Sequence, residues 1–98
     1  VIVDKNGFQA MGKTENILDI NLGKVFMGFN WRVVRINGHE DLQIKNAMGS
    51  FDKGRPICIL TYTTKGKGVS WMENNNDWHY KNLTEEDYLK AKAELTNG

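Results

Sequence analysis

Three short stretches of the chain are rich in apolar and β-branched residues, and each predicts a β-strand. They are residues 1–3, 32–36 and 57–63. The third gives the strongest signal, because Ile57-Cys58-Ile59-Leu60 is a continuous apolar run of the kind found in strands covered on both faces. We therefore expect it to be an interior strand of a parallel sheet.

Between these strands, apolar residues recur at the spacing of one face of an α-helix. The two stripes are Leu22, Val25, Phe26 and Phe29, and then Ile44, Ala47, Met48 and Phe51. Asp19 or Asn21 is suitable as the cap of the first helix, and the second is predicted from about Glu40 to Phe51. A third helix is predicted near the end of the chain, where Thr84 and Asp87 form a variant of the capping box.

The order strand, helix, strand, helix, strand is typical of an α/β fold, with a parallel sheet and helices on both faces. The ends of the three strands are then expected along one edge of the sheet, where α/β proteins bind ligands. Residues 9–15 and 65–82 follow neither period and are predicted to be loops. At 98 residues, the chain is expected to form one domain at most.

Composition and charge exclude several classes of function. With 13 basic and 12 acidic residues, the formal charge is +1, which provides no general attraction to nucleic acid or to an anionic membrane. No apolar run approaches the roughly 20 residues that a membrane span needs. Cys58 is the only cysteine and has no partner for an internal disulfide, so a cytoplasmic protein is expected.

The polar residues that follow the first strand are the first candidates for a binding site. Asp4 and Asn6 carry side-chain oxygens and precede Gly7. Oxygen ligands at a strand end suit a hard cation such as Mg²⁺, which often shares its ligands with phosphate. The same residues are also common in turns, because Asn tolerates positive φ and Gly closes the loop. The local sequence leaves both interpretations open.

A second candidate is Lys65-Gly66-Lys67-Gly68, directly after the apolar strand. Glycines that expose backbone N–H groups beside a lysine are suited to binding phosphate. The run does not match the P-loop pattern, and on this signal alone a solvated basic turn is the more common explanation. His79 is a third candidate, as an acid–base group or as an ordinary surface histidine.

Residues 1–11, which include Asp4, Asn6 and Gly7, resemble the closing half of the thiamin-diphosphate motif of transketolases. The resemblance continues through Thr63-Thr64-Lys65-Gly66-Lys67-Gly68, Met72-Glu73-Asn74-Asn75 and Trp78-His79. The Gly-Asp-Gly that opens this motif in the family does not occur in the chain. The resemblance therefore implies that residues 1–98 form the C-terminal part of a thiamin-diphosphate-binding domain, with a partial version of its fold.

The resemblance also implies roles for four residues. The side-chain oxygen of Asn6 and the backbone carbonyl of Phe8 would complete the ligand shell of Mg²⁺, and Lys65 would reach the diphosphate of thiamin diphosphate. His79 would approach the diphosphate and a hydroxyl of the donor sugar, as a catalytic residue. The chain departs from the family at Tyr80, where glycine usually follows the histidine.

A transketolase moves a two-carbon ketol unit between sugar phosphates, at a site formed between two subunits or domains. The expected partners are the rest of the enzyme, namely the upstream Gly-Asp-Gly segment and a pyrimidine-binding domain or subunit, in a homo- or hetero-oligomer. Because Val1 already lies in a strand-like run, a truncated or split enzyme is expected, with no turnover by the 98 residues alone. A missing neighbour strand would expose Ile57–Tyr62 as an apolar sheet edge that promotes association.

Three other functions remain open. A 1-deoxyxylulose-5-phosphate synthase fragment would share the Lys-Gly-Lys-Gly run, although the Met-Glu-Asn-Asn and Trp-His segments favour transketolase. The absence of Gly-Asp-Gly is compatible with a non-catalytic assembly piece of a split enzyme. A separate phosphate-binding module is the third alternative, and protection of the protein by diphosphate without thiamin would identify it.

Overall fold

The elements of the protein come from a computed structural model that describes residues 1–50 and 54–98. In chain order they are β1 (Ile2–Lys5), β2 (Phe8–Gln9), β3 (Gly12–Lys13), α1 (Thr14–Ile17), α2 (Leu22–Gly28), β4 (Arg32–Asn37), α3 (Asp41–Met48), β5 (Ile57–Tyr62), a 3-10 helix (Asn76–His79) and α4 (Glu85–Asn97). They belong to two compact units: a first unit of Val1–Asn6 and Leu18–Thr63, and a second unit of Gly7–Ile17 and Thr64–Gly98. None of the described helices is long and apolar enough to cross a membrane.

The first unit contains a parallel sheet in the order β1-β5-β4. Lys5, Tyr62 and Asn37 are opposite one another at the ends of the three strands, so the carboxyl ends lie along one edge as predicted. The prediction that β5 is an interior strand is confirmed. The expectation of an exposed edge at Ile57–Tyr62 is wrong, because β5 pairs with a neighbour on each side; the outer strands are β1 and β4.

Helices cover both faces of this sheet, as the α/β prediction requires. On one face, Ala47 of α3 lies in a buried cluster with Ile36 of β4 and Ile59 of β5. On the opposite face, Gly23 of α2 lies so close to Arg35 that a Cβ at position 23 would overlap the guanidinium group. The strand alternation therefore directs one set of side chains to α3 and the other to α2.

Leu60 and Cys58 are the largest fully buried side chains of the described residues, at 1% and 0% exposure. Both belong to β5, whose central position explains why its apolar run is unbroken. Burial raises the pKa of the Cys58 thiol, because the thiolate would lose its hydration in the sheet.

Helix starts follow the predicted capping chemistry. Asn21, rather than Asp19, caps α2, and its Oδ1 accepts a hydrogen bond of 3.0 Å from the backbone N–H of Lys24. Thr84 and Asp87 form the complete capping box at the start of α4. The second predicted helix corresponds to α3, although Phe51 and the start of the predicted break at 52–56 lie outside the described residues.

The second unit contains the main correction to the predicted secondary structure. Residues 9–15 are not one loop, because β2 and β3 form an antiparallel hairpin and α1 follows directly. The long polar stretch after residue 64 consists of successive turns and then the 3-10 helix Asn76–His79. Among the described residues of this stretch, the apolar side chain of Val69 is buried, at 6% exposure.

Candidate functional site

Asn6 lies directly after the last residue of β1, at the carboxyl edge of the sheet, and its side chain is partly buried. Asp4, the other carboxyl or amide side chain in this segment, is inside the strand and accepts a hydrogen bond from the Thr63 hydroxyl. The N–H of Thr63 also donates to the carbonyl of Lys5, at 3.3 Å. Asp4 therefore joins the ends of β1 and β5, whereas Asn6 is the residue placed just beyond the sheet.

The backbone at Phe8 follows a path set by the β2–β3 hairpin and by Gly7. The N–H of Thr14 donates to the carbonyl of Gly7 at 2.9 Å, and Phe8 is opposite Lys13 in the next pair of the hairpin. Hydrogen-bonded and non-hydrogen-bonded pairs alternate in an antiparallel ladder, so the N–H and C=O of Phe8 point away from β3. Gly7 makes this path possible with a φ of +80°.

These oxygen donors fit Mg²⁺ in kind, since it prefers carbonyl, amide and carboxylate oxygens. In the described ranges 1–50 and 54–98, there is no group of three or more His, Cys, Asp or Glu side chains that could hold a metal ion.

Two of the four N–H groups of the Lys65–Gly68 turn, and that of Val69 directly after it, already donate hydrogen bonds within the second unit. The N–H of Lys67 donates to Thr64, that of Val69 donates to Gly66, and that of Gly68 donates to the Glu73 carboxylate at 3.1 Å. The glycines instead allow a tight turn, and a Cβ on Gly66 would lie 2.5 Å from the carbonyl oxygen of Met72. Three of the backbone donors are therefore already occupied.

The side chain of Lys65, unlike the backbone of this turn, is suited to binding an anion. Its side chain is partly buried, and its carbonyl accepts a 2.9 Å hydrogen bond from the N–H of Asn74. Asn74 has a φ of +52° and Glu73 accepts from Gly68, so the Met72–Asn75 segment closes the turn structurally. With the backbone fixed in this way, the ammonium group of Lys65 is the part of this residue suited to an anion.

His79 is the last residue of the 3-10 helix and is exposed to solvent. The helix is capped by Asn75, whose side chain accepts a hydrogen bond from the N–H of Asp77 at 3.1 Å. The ring of Tyr80 lies edge-on to the imidazole, with centroids 4.6 Å apart and an angle of 83°. This contact places the Tyr80 ring next to His79, although Tyr80 is itself 77% exposed.

Asn76 makes a structural contact that the sequence did not indicate. Its Nδ2 donates to the carbonyls of Gln9 at 2.9 Å and Ala10 at 3.3 Å. Within the second unit, it thereby attaches the hairpin that carries Phe8 to the 3-10 helix that carries His79. An Asn in a polar stretch gave no signal for this contact, because its partners are 66 and 67 residues away in the chain.

The Trp78 ring supports the same helix. It packs edge-on against Trp71, with ring centroids 4.8 Å apart. The Nζ of Lys81 lies 4.6 Å from the centroid of the Trp78 ring. Aromatic pairs of this geometry add roughly 0.5–1.5 kcal/mol to the burial of the rings. The structure thus places Phe8, Lys65 and His79 in one unit and Asn6 at the end of the other.

Comparison with known proteins shows one consistent family. A family model described as "Transketolase, thiamine diphosphate binding domain" matches residues 1–97. The chain is 35% identical over 98 residues to a subunit of the apulose-4-phosphate transketolase of Phocaeicola vulgatus, covering 97% of this chain and 35% of that protein. It is 37% identical over 95 residues to the 6-deoxy-6-sulfo-D-fructose transketolase subunit SqwG of a Clostridium species, covering 94% of this chain and 34% of that protein.

The fold is similar to that of a solved transketolase from Campylobacter jejuni. The TM-score is 0.88 at 29% sequence identity, over 97% of this chain and 15% of the transketolase chain. The chain therefore spans about a third of the length of the two related subunits and a smaller part of the complete enzyme.

Proposed function

Because this chain belongs to the transketolase thiamin-diphosphate-binding domain family, we propose that residues 1–98 are the C-terminal part of that domain in a working transketolase. Its reaction is the transfer of a two-carbon ketol unit between sugar phosphates. The observation that carries the proposal is the family match across residues 1–97, together with the position of Asn6 at the carboxyl edge of the sheet.

We assign Asn6 and Phe8 to a divalent metal, Mg²⁺. Asn6 would contribute its side-chain oxygen and Phe8 its backbone oxygen, and both are hard donors of the type that Mg²⁺ selects. The remaining ligands would come from the upstream Gly-Asp-Gly segment and from the diphosphate. The two residues are separated only by Gly7 in the sequence, which favours joint action on one ion.

Lys65 and His79 are assigned to the diphosphate of the cofactor. The internal hydrogen bonds of the Lys65–Gly68 turn support a contact through the Lys65 ammonium, because the N–H groups of Lys67, Gly68 and Val69 already have acceptors. His79 is exposed at the end of its helix, where an imidazole is able to donate to an anionic oxygen and to a sugar hydroxyl.

When bound, thiamin diphosphate would supply the electron-sink chemistry of the proposed reaction. The residues of this chain bind and orient. Asn6 and Phe8 would hold the metal, Lys65 would neutralise diphosphate charge, and His79 would hold a proton at the donor sugar's hydroxyl. Asn76 maintains the second unit in the form that presents Phe8 and His79.

The proposed partners are the upstream segment and a pyrimidine-binding domain or subunit, within a homo- or hetero-oligomer in the cytoplasm. Support comes from the names of two relatives, which are called subunits of transketolases. The buried, unpaired Cys58 is compatible with a reducing compartment.

A non-catalytic assembly piece is the second candidate, favoured by the open outer edge of β1. Val1 and Ile2 are 62% and 58% exposed there, so another strand could pair with this edge. An assembly piece and a catalytic domain differ in whether Asn6 affects cofactor affinity.

The proposal predicts the behaviour of two preparations. The purified 98 residues should show no ketol transfer, because metal ligands and the pyrimidine-binding part are missing; turnover by them alone would refute this. In the complete enzyme containing this chain, Asn6→Ala should weaken Mg²⁺-dependent binding of thiamin diphosphate at least about tenfold, measured by calorimetry. Asn82→Ala, in an exposed segment, is the matched control. Equal affinity in Asn6→Ala and the control would favour the assembly piece.

A further inference from the structure

A polar cleft of about 460 Å³ lies in the first unit, on the face of the sheet that α2 covers. Lys5 and Tyr62, the last residues of β1 and β5, form its strand-end side, and Arg35 extends into it from β4. Asp19, Asn21 and Gly23 line it from the segment that starts α2. Its position beside the carboxyl ends of parallel strands is where α/β proteins generally place a ligand.

The charges that line the cleft are unbalanced. Two cations, Lys5 and Arg35, stand against one carboxylate, Asp19. Among the residues that the structure describes, neither cation takes part in an ion pair. The Lys5 ammonium instead lies 5.4 Å from the centroid of the Tyr62 ring. Two like charges in one cleft repel each other, and an anion bound between them would offset that repulsion by attracting both.

The Arg35 side chain is fitted to the helix that borders the cleft. A Cβ at Gly23 would overlap the Arg35 guanidinium and would lie 3.1 Å from its Cζ, so a larger residue here would displace the arginine side chain from this position. Asn21, nearby, already uses its side-chain oxygen to accept from the N–H of Lys24. The guanidinium is therefore held against α2 with no carboxylate partner in the described part of the chain.

We propose that this cleft binds a small phosphate-type oxyanion, held by the Arg35 guanidinium and the Lys5 ammonium. An arginine offers paired N–H donors that match the geometry of phosphate oxygens, and a lysine adds a point charge. The volume of the cleft is in the range of small-ligand sites and exceeds the needs of a bare phosphate, so a phosphate ester also fits. None of the residues assigned to the diphosphate lines this cleft.

The test is an NMR titration of the 98-residue chain with inorganic phosphate, at ionic strength held constant with sodium chloride. A parallel titration with glycerol 3-phosphate separates an ester from the free ion. We expect saturable shifts of the backbone amides of Gly23 and Arg35. Arg35→Gln and Lys5→Gln should each weaken binding at least about tenfold, whereas Lys45→Gln, at an exposed position of α3 outside the cleft, should leave the curve unchanged.

Three results would overturn the proposal: no saturable shift, equal curves for the wild type and Arg35→Gln, or shifts confined to Lys67 and Gly68 that disappear in Lys65→Gln. The test is independent of the transketolase function. Loss of thiamin diphosphate binding in Lys65→Gln with phosphate binding intact supports both proposals. Phosphate binding that requires Arg35, in a protein whose cofactor affinity does not depend on Lys65 or Asn6, would remove only the proposed function.

Discussion

The first unit buries apolar side chains, whereas the second connects its turns through polar ones. In the first, Cys58, Ile59 and Leu60 are 0%, 7% and 1% exposed in the middle of a sheet. Among the described residues of the second, Val69 is the one apolar side chain buried to this degree. Because burial of a large apolar side chain contributes about 1.5–3 kcal/mol and a hydrogen bond about 1, the sheet is expected to be the more robust part.

The polar connections of the second unit are nevertheless specific. Glu94 accepts from both the N–H and the hydroxyl of Ser70, at 2.6 and 2.9 Å. Glu73 and Asn76 each bridge segments of the same unit in a similar way. Directional bonds fix the path of a loop more closely than apolar contacts of similar strength. The comparison suggests that the chain uses its core for stability and its hydrogen bonds to position Phe8, Lys65 and His79.

Leu60→Ala tests the apolar side of this comparison and has the largest expected effect. Removing a side chain that is 1% exposed leaves a cavity between the sheet and its helices, which should lower the free energy of unfolding by about 2–5 kcal/mol. Urea denaturation followed by circular dichroism provides the measurement. Leu42→Ala, at a position that is 68% exposed in α3, is the control and should cost less than about 0.5 kcal/mol. Similar losses at both positions would mean that β5 is not the centre of the core.

Gly66→Ala tests the turn that carries Lys65. Gly66 has a φ of +72°, and its new Cβ would meet the Met72 carbonyl, so the variant should lose about 2–3 kcal/mol of stability. Gly7→Ala is a matched control with a φ of +80° and no atom within 4 Å, for which about 1 kcal/mol is expected from backbone strain alone. Proteolysis rates and denaturation would report the difference. If the two variants lose the same amount, close approach at Met72 is not what requires glycine at position 66.

Thr84→Ala has the smallest expected effect, about 1 kcal/mol, measured as loss of helical circular dichroism from α4. The variant also has a pH signature. Hydrogen bonds from the backbone and side chain of Thr84 lower the pKa of Asp87 below its usual 3.8. A carboxyl group with a lowered folded pKa stabilises the folded state above its unfolded pKa, and this stabilisation is lost as the pH falls through the folded value.

The wild type should therefore lose α4 helicity as the pH falls below about 4, and Thr84→Ala should show a flatter acid transition. Thr84→Ser, which keeps the hydroxyl, is the control and should follow the wild type. An unchanged acid transition in Thr84→Ala would assign the pH dependence to groups other than the box.

Local patterns predicted the elements that depend on local causes. Asn21 and Thr84 were identifiable as caps because their side chains bond to backbone groups three residues away. The unbroken apolar run of β5 correctly indicated an interior strand. The expectation that a missing neighbour strand would leave this run exposed at a sheet edge was wrong. Strand order depends on which distant segments pair, and the strand's own residues do not determine it.

The hairpin and the turn chemistry were missed for related reasons. β2 and β3 are two residues each, too short for an alternating pattern to be recognised. The local sequence left a phosphate cradle and a solvated turn open at Lys65–Gly68, and it gave no sign that Glu73, five positions away, accepts from the Gly68 N–H. Asn76 has acceptors across most of the chain length, so no local signal marked it.

The position of β5 in the sheet also has a consequence during synthesis. β1 and β4 leave the ribosome first, yet they are not neighbours in the sheet, and both hydrogen-bond to the strand that is made last. At roughly 5–20 residues per second, the two early strands wait about a second or more for β5. During that interval their edges are open to other chains, so a nascent-chain chaperone that covers Ile2–Lys5 and Arg32–Asn37 would raise the yield of folded protein.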